Sequence, residues 1–469
     1  MKINLSEKKV GIFGDLIIDK YQYYKAVKLS PEGPAPIVKS LSKSKAIGGA
    51  GNVAISISNL GLNTELYYAK SSIEKEESIL FVNSVAQKYR IKLNSMPSNL
   101  KNAIPIKIRY YVDGKQFMRE DLEESFDKEK SLFSKEYLDK ILKKYDIIVV
   151  SDYQKGLINT ETMINIIDLC NKNNMPLFID TKNRDFNSIK NAFCLKINEF
   201  EFNLLFKDQK INFDDADEVI YRKIELARKS SNVLNFILTL GSRGSFISNP
   251  KYSKNIQSEA VDVVDITGAG DAFLSALVYS FSVRNSKNNF NSKNTLIKSE
   301  DLYFANNASA SVIELKGTEP LSKDFIKKYQ SIISSKKKIG FTNGCFDLLH
   351  LGHLSLFQEA KSHCDYLIVG LNSDSSVKRL KGDKRPINDE QTRLRILQSI
   401  KFIDEVVIFD EDTPIDLIKQ ISPDFLIKGM DYSESEIIGA EYVKSYGGVV
   451  IRAKIIEGKS TTNIIKKFK

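Results

Sequence analysis

Histidines are rare in this chain, and two of them lie close enough in sequence for their side chains to act together in a chemical site. The chain has three histidines among 469 residues, and His350 and His353 lie around a glycine in GCFDLLHLGH at 344–353. Such a pair could bind a metal, begin a helix without a chemical role, or donate hydrogen bonds to a phosphate. Cys345 is a possible third metal ligand, but this spacing is not a standard zinc pattern.

A glycine-rich turn earlier in the chain, DITGAGD at 265–271, could also hold a phosphate. Its GAG residues precede apolar residues at helical spacing, which predicts a helix N-terminus whose backbone amides attract anions. Asp271 lies at the predicted helix start. It could be an ordinary capping aspartate, or a base that takes a proton from an attacking hydroxyl.

Alternating strands and helices must position these turns. Short apolar runs predict strands, and residues 159–171 predict a helix because cap-type residues precede apolar residues at helical spacing. The predicted strands are 9–15, 104–112, 146–152, 176–180, 194–198 and 235–241, then 336–344, 365–372, 405–409, 424–429 and 447–453. Such alternation predicts an α/β fold with mainly parallel sheets.

The pattern restarts after a polar, lysine-rich stretch, so we predict two domains joined by a linker. The first would span 1–318, the linker 319–337, and the smaller, Rossmann-like second domain 338–469. A chain of 469 residues is too long for one ordinary core.

Composition narrows the class of protein. A hydrophobic content of 42% and a charged content of 27% are typical of globular domains. The four cysteines form no CxxC pair, which favours a reducing cytoplasm over a disulfide framework. No signal peptide or membrane-spanning run is apparent. The net charge of +10 is spread along the chain, so we expect phosphate-bearing substrates and neither nucleic acid nor membrane as partners.

GGAGN at 48–52 and DITGAGD at 265–271 together resemble the two signatures of the ribokinase/PfkB family of carbohydrate kinases. Further stretches that match the family are GDLIID at 14–19, NEFE at 198–201 and TLGSRGS at 239–245. The resemblance implies a ribokinase-like domain that transfers a phosphoryl group from ATP to a sugar hydroxyl, a reaction that depends mainly on positioning and electrostatic stabilisation.

The resemblance also implies roles for single residues. Asp271 would be the catalytic base, Glu201 would contact Mg²⁺ indirectly, and Asp15 and Asn52 would bind the sugar. The residues implied in ATP binding are Asn198, Glu199, Phe200, Glu201, Thr239, Gly241, Gly244, Gly268, Ala269 and Gly270.

Three cations on a predicted hairpin at 107–121 have two interpretations. Lys107, Arg109 and Arg119 could be solvated charges on strands. They could instead form a clamp for a phosphate already present on the sugar, since arginine suits bidentate recognition of phosphate.

The strand, glycine turn and helix around His350 and His353 form a phosphate-binding arrangement. It resembles the His-x-Gly-His motif of the cytidylyltransferase-like nucleotidyltransferases, over residues 338–469. Both histidines would then be catalytic. Further residues implied in nucleotide or substrate binding are Gly344, Phe346, Asp374, Lys381, Arg385, Lys428, Asp431, Ser460 and Thr461.

The order of the two motif sets resembles the family of bifunctional heptose kinase/adenylyltransferases of lipopolysaccharide synthesis. The resemblance implies that ATP phosphorylates D-glycero-D-manno-heptose 7-phosphate at C1 and that AMP is then transferred from a second ATP, with Mg²⁺ as cofactor, in a homodimer. Two alternatives stay open. One is the same architecture acting on another sugar or polyol phosphate or using CTP. The other is a non-catalytic regulator, which would predict loss of Asp271, Glu201 or the histidine pair.

Overall fold

The structure is a computed structural model. It describes residues 7–98, 103–124, 131–258, 261–285, 295–326, 338–421, 423–430, 432–433, 436–445 and 448–453. The chain divides into two compact units, residues 1–333 and 334–469. The limits of 1–318, 319–337 and 338–469 stay a prediction. No helix among the described residues is long and apolar enough to cross a membrane.

The first unit is built on a nine-stranded sheet. Its strands are β1 (Lys9–Gly14), β4 (Asn63–Ser71), β5 (Lys92–Ser98), β8 (Ile147–Asp152), β9 (Leu177–Thr181), β10 (Cys194–Asn198), β11 (Asn235–Thr239), β12 (Ser245–Ser248) and β13 (Ser253–Ile256). The order is β13-β12-β11-β10-β9-β8-β1-β4-β5. Neighbouring strands from β5 to β11 pair in parallel, and β12 and β13 add an antiparallel edge. The predicted α/β fold with mainly parallel sheets is confirmed.

Helices cover the sheet. They are α1 (Ala50–Asn59), α2 (Glu76–Tyr89), α3 (Lys135–Leu142), α4 (Thr160–Lys172), α5 (Glu199–Leu205), α6 (Asp217–Ser231), α7 (Ala269–Arg284) and α8 (Ser299–Ile313). The helix predicted over 159–171 is confirmed as α4, and the side chain of Asn159 caps its first turn. Twelve of the sixteen residues of α7 are buried, which is typical of a helix that is apolar around most of its circumference.

A second, four-stranded sheet carries the three cations of the predicted hairpin. Its strands are β2 (Leu16–Leu29), β3 (Pro36–Gly49), β6 (Ile106–Val112) and β7 (Lys115–Leu122), in the order β3-β2-β6-β7. The hairpin is confirmed as the antiparallel pair β6–β7. The long pair β2–β3 was not predicted, because most of β3 is exposed and lacks the alternation that marks a half-buried strand.

The second unit has a five-stranded parallel sheet in the order β16-β15-β14-β17-β18. The strands are β14 (Ile339–Gly344), β15 (Tyr366–Asn372), β16 (Glu405–Phe409), β17 (Phe425–Gly429) and β18 (Val449–Ala453). The helices are α9 (Leu351–His363), α10 (Asp374–Lys381), α11 (Glu390–Gln398), α12 (Ile415–Ile421) and α13 (Ala440–Ser445). The strand order reverses beside β14, and open parallel sheets bind ligands at the carboxyl ends of strands at such a point.

Candidate active sites

Asp271, the predicted base of the first unit, is a buried carboxylate in the first turn of α7. Its side chain receives two hydrogen bonds: Tyr153 Oη donates to Oδ1 over 2.7 Å, and Asn52 Nδ2 donates to Oδ2 over 3.1 Å. Burial raises the pKa of Asp271 to about 6, although both hydrogen bonds oppose the rise. The carboxylate is therefore ionised at neutral pH and close to the pKa that suits a general base.

The glycine turn before α7 brings backbone amides next to a buried cation. Gly268 has a φ of 86°, a left-handed conformation that favours glycine. A Cβ atom on Gly270 would lie 3.0 Å from Lys196 Nζ, so glycine allows the ammonium group to lie against the turn. Lys196 is itself paired with Asp180 over 2.7 Å. The amides and this lysine together can stabilise a transferring phosphate.

The NEFE stretch forms the first turn of α5 as a reciprocal cap. Asn198 Oδ1 accepts from the Glu201 backbone N–H, and Glu201 Oε2 accepts from the Asn198 backbone N–H, each over 2.9 Å. Burial, followed by the nearby charge of Asp180, raises the pKa of Glu201. Glu199 is half-buried and Phe200 is exposed. The cap fixes Asn198 and Glu201 at the carboxyl end of β10, where parallel sheets bind ligands.

The predicted nucleotide-binding turn follows β11. Thr239 ends that strand, and the Leu240 backbone N–H donates to Gly244 O over 2.9 Å to close the turn. Gly241 and Gly244 have φ angles of 51° and 77°. The stretch therefore forms a tight glycine turn beside β10, as the sequence predicted.

Asp15 and Asn52, the predicted sugar-binding residues, are both buried. Asp15 Oδ2 accepts from the backbone N–H groups of Tyr153 and Lys155 over 2.9 Å, and Oδ1 accepts from that of Leu157 over 3.3 Å. Asp15 thus holds the loop that carries Tyr153. Asn52 Oδ1 is buried and has no hydrogen-bond partner among the described residues, so it can accept from a ligand hydroxyl.

The three cations of the predicted clamp have different surroundings. Arg109 Nη1 is paired with Asp19 Oδ1 over 2.5 Å in a buried position. Arg119 is paired with Asp121 over 2.8 Å. Lys107 has no ion pair among the described residues. Burial, and then the charge of Lys182, lower its pKa.

Sequence reasoning missed Lys182, which follows β9. Its Nζ lies 4.0 Å from the centre of the Tyr153 ring, and its charge acts on Lys107. Lys182 therefore lies near Lys107 and over the ring of the tyrosine that donates to Asp271, whereas the charge of Arg109 is neutralised by Asp19.

His350 and His353 begin α9, directly after β14 and its glycine turn. Their rings are stacked with centroids 3.8 Å apart, and the His350 backbone N–H donates to His353 Nδ1 over 3.4 Å. Burial, helped by the charges of His350 and Lys381, lowers the pKa of His353 to about 4. Burial also lowers the pKa of His350. With Nδ1 accepting, the neutral His353 ring carries its proton on Nε2, which can donate to a phosphate oxygen.

Residues around the histidines shape the mouth of this site. Lys428, in β17, donates from Nζ to Asn343 O over 2.9 Å. The Phe346 ring packs edge-on against His353 with centroids 5.2 Å apart, and a Cβ atom on Gly344 would lie 3.1 Å from that ring. Lys381, in α10, is close enough to act on the charge of His353.

Two predicted binding residues of the second unit form ion pairs. Arg385 Nη1 is paired with Asp347 over 2.6 Å, and Asp347 also accepts from the backbone N–H groups of Ile387 and Asn388. Asp374 is paired over 2.6 Å with an arginine of α11, Arg393. Asp431, Ser460 and Thr461 lie outside the described residues.

Arg393 itself is buried and forms hydrogen bonds to the chain at the ends of β14 and β15. It donates to Cys345 O over 2.7 Å, to Asn372 O over 2.8 Å, and to Asn388 O over 3.0 Å. No role was assigned to it from the sequence. A signal was present, since Arg393 lies one turn after Asp389, an aspartate of the type that caps helices and that caps α11 in the structure.

Each of the two units matches a known protein family. The family model described as pfkB family carbohydrate kinase matches residues 7–324, and the one described as Cytidylyltransferase-like matches residues 341–467. A curated relative from Aliarcobacter butzleri, "Bifunctional protein HldE", is 32% identical over 99% of this chain and 98% of its own. The relative of the same name from Helicobacter acinonychis is 34% identical over 98% of this chain and 99% of its own.

The chain belongs to the HldE family. Like the family, it is a bifunctional enzyme, with a carbohydrate kinase unit followed by a nucleotidyltransferase unit. The predicted resemblance to a bifunctional kinase/nucleotidyltransferase is confirmed over the whole chain.

Solved structures agree with the fold of the HldE kinase unit. A phosphofructokinase-2 from Escherichia coli superposes with a TM-score of 0.53 at 14% identity, over 70% of this chain and 99% of its own. A carbohydrate kinase from Agrobacterium tumefaciens gives a TM-score of 0.51 at 16% identity, over 70% of this chain and 97% of its own. At these identities the likeness concerns the fold alone.

Proposed function

We propose that this enzyme makes ADP-heptose in two steps, for the core of lipopolysaccharide. ATP first phosphorylates D-glycero-D-manno-heptose 7-phosphate at C1. The resulting 1-phosphate then attacks the α-phosphate of a second ATP, and pyrophosphate leaves. The observation that carries the proposal is the pair Lys107 and Lys182, which suits a sugar that already bears a phosphate. Lys182 acts on Lys107 and lies over the ring of Tyr153, whose hydroxyl donates to the buried carboxylate of Asp271.

In the kinase step Asp271 takes the proton of the sugar C1 hydroxyl as the oxygen attacks the γ-phosphate. The amides of Gly268, Ala269 and Gly270, with Lys196 beside them, stabilise the charge on the phosphate. Asp15 and Asn52 are proposed for the sugar. The residues proposed for ATP are Asn198, Glu199, Phe200, Glu201, Thr239, Gly241 and Gly244.

Glu201 fits the Mg²⁺ that accompanies ATP. Among the described residues, no cluster of three or more His, Cys, Asp or Glu side chains could hold a metal by itself. Mg²⁺ is usually held by one or two carboxylates together with substrate phosphates and water. Glu201 lies in the first turn of α5, and only its Oε2 is used by the cap. When bound, the ion would neutralise charge on the phosphates.

For the phosphate at C7 of the sugar we propose Lys107 and Lys182, with Arg119 at the rim. Arg109, also predicted to contact this phosphate, is a weaker candidate because its buried guanidinium is paired with Asp19. Breaking that pair would leave the buried Asp19 carboxylate without its positively charged partner, which is costly.

The transfer step needs no general base, because its nucleophile is a phosphate oxygen that is already charged near neutral pH. Neutral histidines suit such a step. His353 and His350 would donate hydrogen bonds as charge builds on the α-phosphate and on pyrophosphate, and Lys381 and Lys428 would add positive charge. Gly344, Phe346, Asp374, Arg385, Asp431, Ser460 and Thr461 stay proposed binding residues.

We also propose a homodimer that works in the cytoplasm. The homodimer is supported by the four-stranded sheet, which exposes apolar side chains on β2, β3 and β7. The most exposed are Val27, Leu29, Leu41 and Phe117. Analytical ultracentrifugation tests this, with a Leu41→Asp, Phe117→Asp variant expected to sediment as a monomer.

Product analysis tests the function. Purified enzyme is incubated with Mg²⁺, ATP or CTP, and a panel of sugar 7-phosphates and 6-phosphates. ADP-heptose from heptose 7-phosphate is expected. Nucleotide transfer from CTP only would overturn the adenylyl assignment, and turnover of a 6-phosphate alone would overturn the sugar.

A further inference from the structure

The Tyr153 hydroxyl contacts the kinase carboxylate, and the steps proposed above leave it without a role. Tyr153 follows the last residue of β8, and its hydroxyl donates to Asp271 Oδ1 over 2.7 Å. Each carboxylate oxygen of Asp271 thus receives one hydrogen bond, since Asn52 serves Oδ2. A carboxylate oxygen can accept more than one hydrogen bond, so a sugar hydroxyl can still reach the base.

Tyr153 is held on two sides. Its backbone N–H donates to Asp15 Oδ2 over 2.9 Å, and the following residue, Gln154, has a φ of 57°, which bends the loop sharply. On the other side, Lys182 Nζ lies 4.0 Å from the ring centre. A cation is attracted to the face of an aromatic ring, so Lys182 helps to fix the orientation of the Tyr153 ring.

We propose that Tyr153 is the positioning residue of the phosphoryl-transfer base: Asp15 holds its backbone, Lys182 holds its ring, and its hydroxyl keeps the Asp271 carboxylate ionised and fixed in orientation. The inference rests on the proposed role of Asp271 as the base. It adds that Lys182 connects two functions, because the lysine proposed to bind the sugar phosphate also lies on the tyrosine that controls the base.

The electrostatics give the direction of the effect. A hydrogen bond to the ionised form of a carboxyl favours that form. Burial, followed by the charges of Asp271, Asp180 and Glu201, raises the pKa of Tyr153 well above its ordinary value, so the hydroxyl remains a donor. The other charged groups that act on Asp271 are Asp180 in β9 and Lys196 in β10. Both remain when Tyr153 is changed, so loss of its hydroxyl raises the pKa of Asp271.

The experiment compares Tyr153→Phe with the wild-type enzyme in the kinase reaction between pH 5.5 and 9. We expect the acid limb of kcat/KM to move to higher pH by about one to two pH units. Activity near pH 6.5 would fall by about threefold for a shift of one unit and about 25-fold for a shift of two, and it would recover near pH 8.5. Substrate phosphates also titrate in this range, but equally for both proteins.

Tyr145→Phe is the matched control. Its hydroxyl donates to a carboxylate too, Glu65 Oε2 over 2.8 Å, in the same unit but away from Asp271. The control should keep the wild-type limb. Both variants should keep transfer to a supplied sugar 1-phosphate. A limb that stays in place in Tyr153→Phe, or a loss equal at every pH, would overturn the inference.

Two more variants separate the inference from the proposed function. If Asp271→Asn keeps kinase activity, the base assignment itself fails. If Asp271→Asn is inactive but Tyr153→Phe leaves the limb unmoved, only the role of Tyr153 fails. Lys182→Met should raise the KM for the sugar phosphate and shift the limb in the same direction by a smaller amount. A change of KM without any shift would overturn the connection through Lys182.

Discussion

Asp271 in the kinase unit and His353 in the transferase unit occupy the same kind of position. Each lies in the first turn of a helix that follows a glycine-rich turn at the carboxyl end of a parallel sheet. Burial raises the pKa of Asp271 to about 6 and lowers that of His353 to about 4. In both cases burial favours the neutral form, yet the consequences for chemistry are opposite.

The difference follows from the two nucleophiles that we propose. A sugar hydroxyl must lose its proton, so the kinase needs a carboxylate that is ionised, and hydrogen bonds from Tyr153 and Asn52 offset part of the cost of burial. A sugar phosphate is already an anion, so the transferase needs donors and positive charge instead. In the proposed transfer step, its neutral histidines would provide donors without a proton having to move.

The strongest test of this comparison removes Asp271 in one variant and His353 in another, and measures both reactions in each. We expect Asp271→Asn to lower the kinase rate by about 10²–10⁴-fold and to leave transfer to a supplied heptose 1-phosphate intact. We expect His353→Ala to lower transfer by about 10²–10³-fold and to leave the kinase step intact. His363→Ala, which removes the third histidine at the other end of α9, is the control for transfer. If either main variant abolished both steps in a folded protein, the two sites would not be independent.

Arg393 tests how the transferase site is built. The change Arg393→Met removes a buried cation that holds Asp374 and three backbone carbonyls. We expect it to destabilise the second unit by about 3–5 kcal/mol, because the carboxylate and the carbonyls lose their partner. Arg395→Met, two residues along α11 at an exposed position, is the matched control. Thermal unfolding is measured, and the kinase activity is followed in parallel as a report on the first unit. Equal destabilisation of both units, or an effect no larger than that of Arg395→Met, would contradict the proposed role of Arg393.

The opposite pKa shifts of Asp271 and His353 predict that only Asp271 changes its charge between pH 8 and 5.5. The kinase rate should fall about tenfold for each pH unit below 6, as Asp271 becomes protonated and stops acting as a base. The His353 ring should stay neutral between pH 8 and 5.5, because its pKa lies near 4. Histidine-labelled NMR follows the second point directly, with His353→Ala to assign the resonance. A His353 signal that titrates near pH 6.5 would contradict the difference between the sites.

Much of this arrangement could be predicted from the sequence because it depends on local pattern. Apolar runs predicted strands such as β8 and β14, and glycine turns before amphipathic segments predicted the starts of α7 and α9. These features involve residues that are neighbours in the chain. Residue type and spacing are therefore enough to make Asp271 and the histidine pair candidates, but their predicted roles depended on the family resemblance.

The surroundings of the base could not be predicted, because they come from separate strands. Tyr153, Lys182 and Lys196 follow or lie in β8, β9 and β10, which are neighbours only through the strand order of the sheet. A local pattern does not contain that order. A signal was present, since the polar residues Asp152, Asp180 and Asn198 lie at the ends of these strands, and parallel strands bring such ends to one edge.

The proposed clamp for the sugar phosphate gives the smallest effect and sharpens the comparison of buried with exposed charges. We expect Lys107→Met to raise the KM for the sugar phosphate about tenfold with little change in kcat, because the half-buried ammonium forms no ion pair among the described residues. Arg119→Met should raise it by less than about threefold, since its guanidinium is half-exposed and already paired with Asp121. Lys115→Met, at the turn of the hairpin, should change neither constant. Equal effects at positions 107 and 119 would mean that the less exposed cation does not contribute more to binding of the phosphate. The phosphate would then be held at the rim of the hairpin.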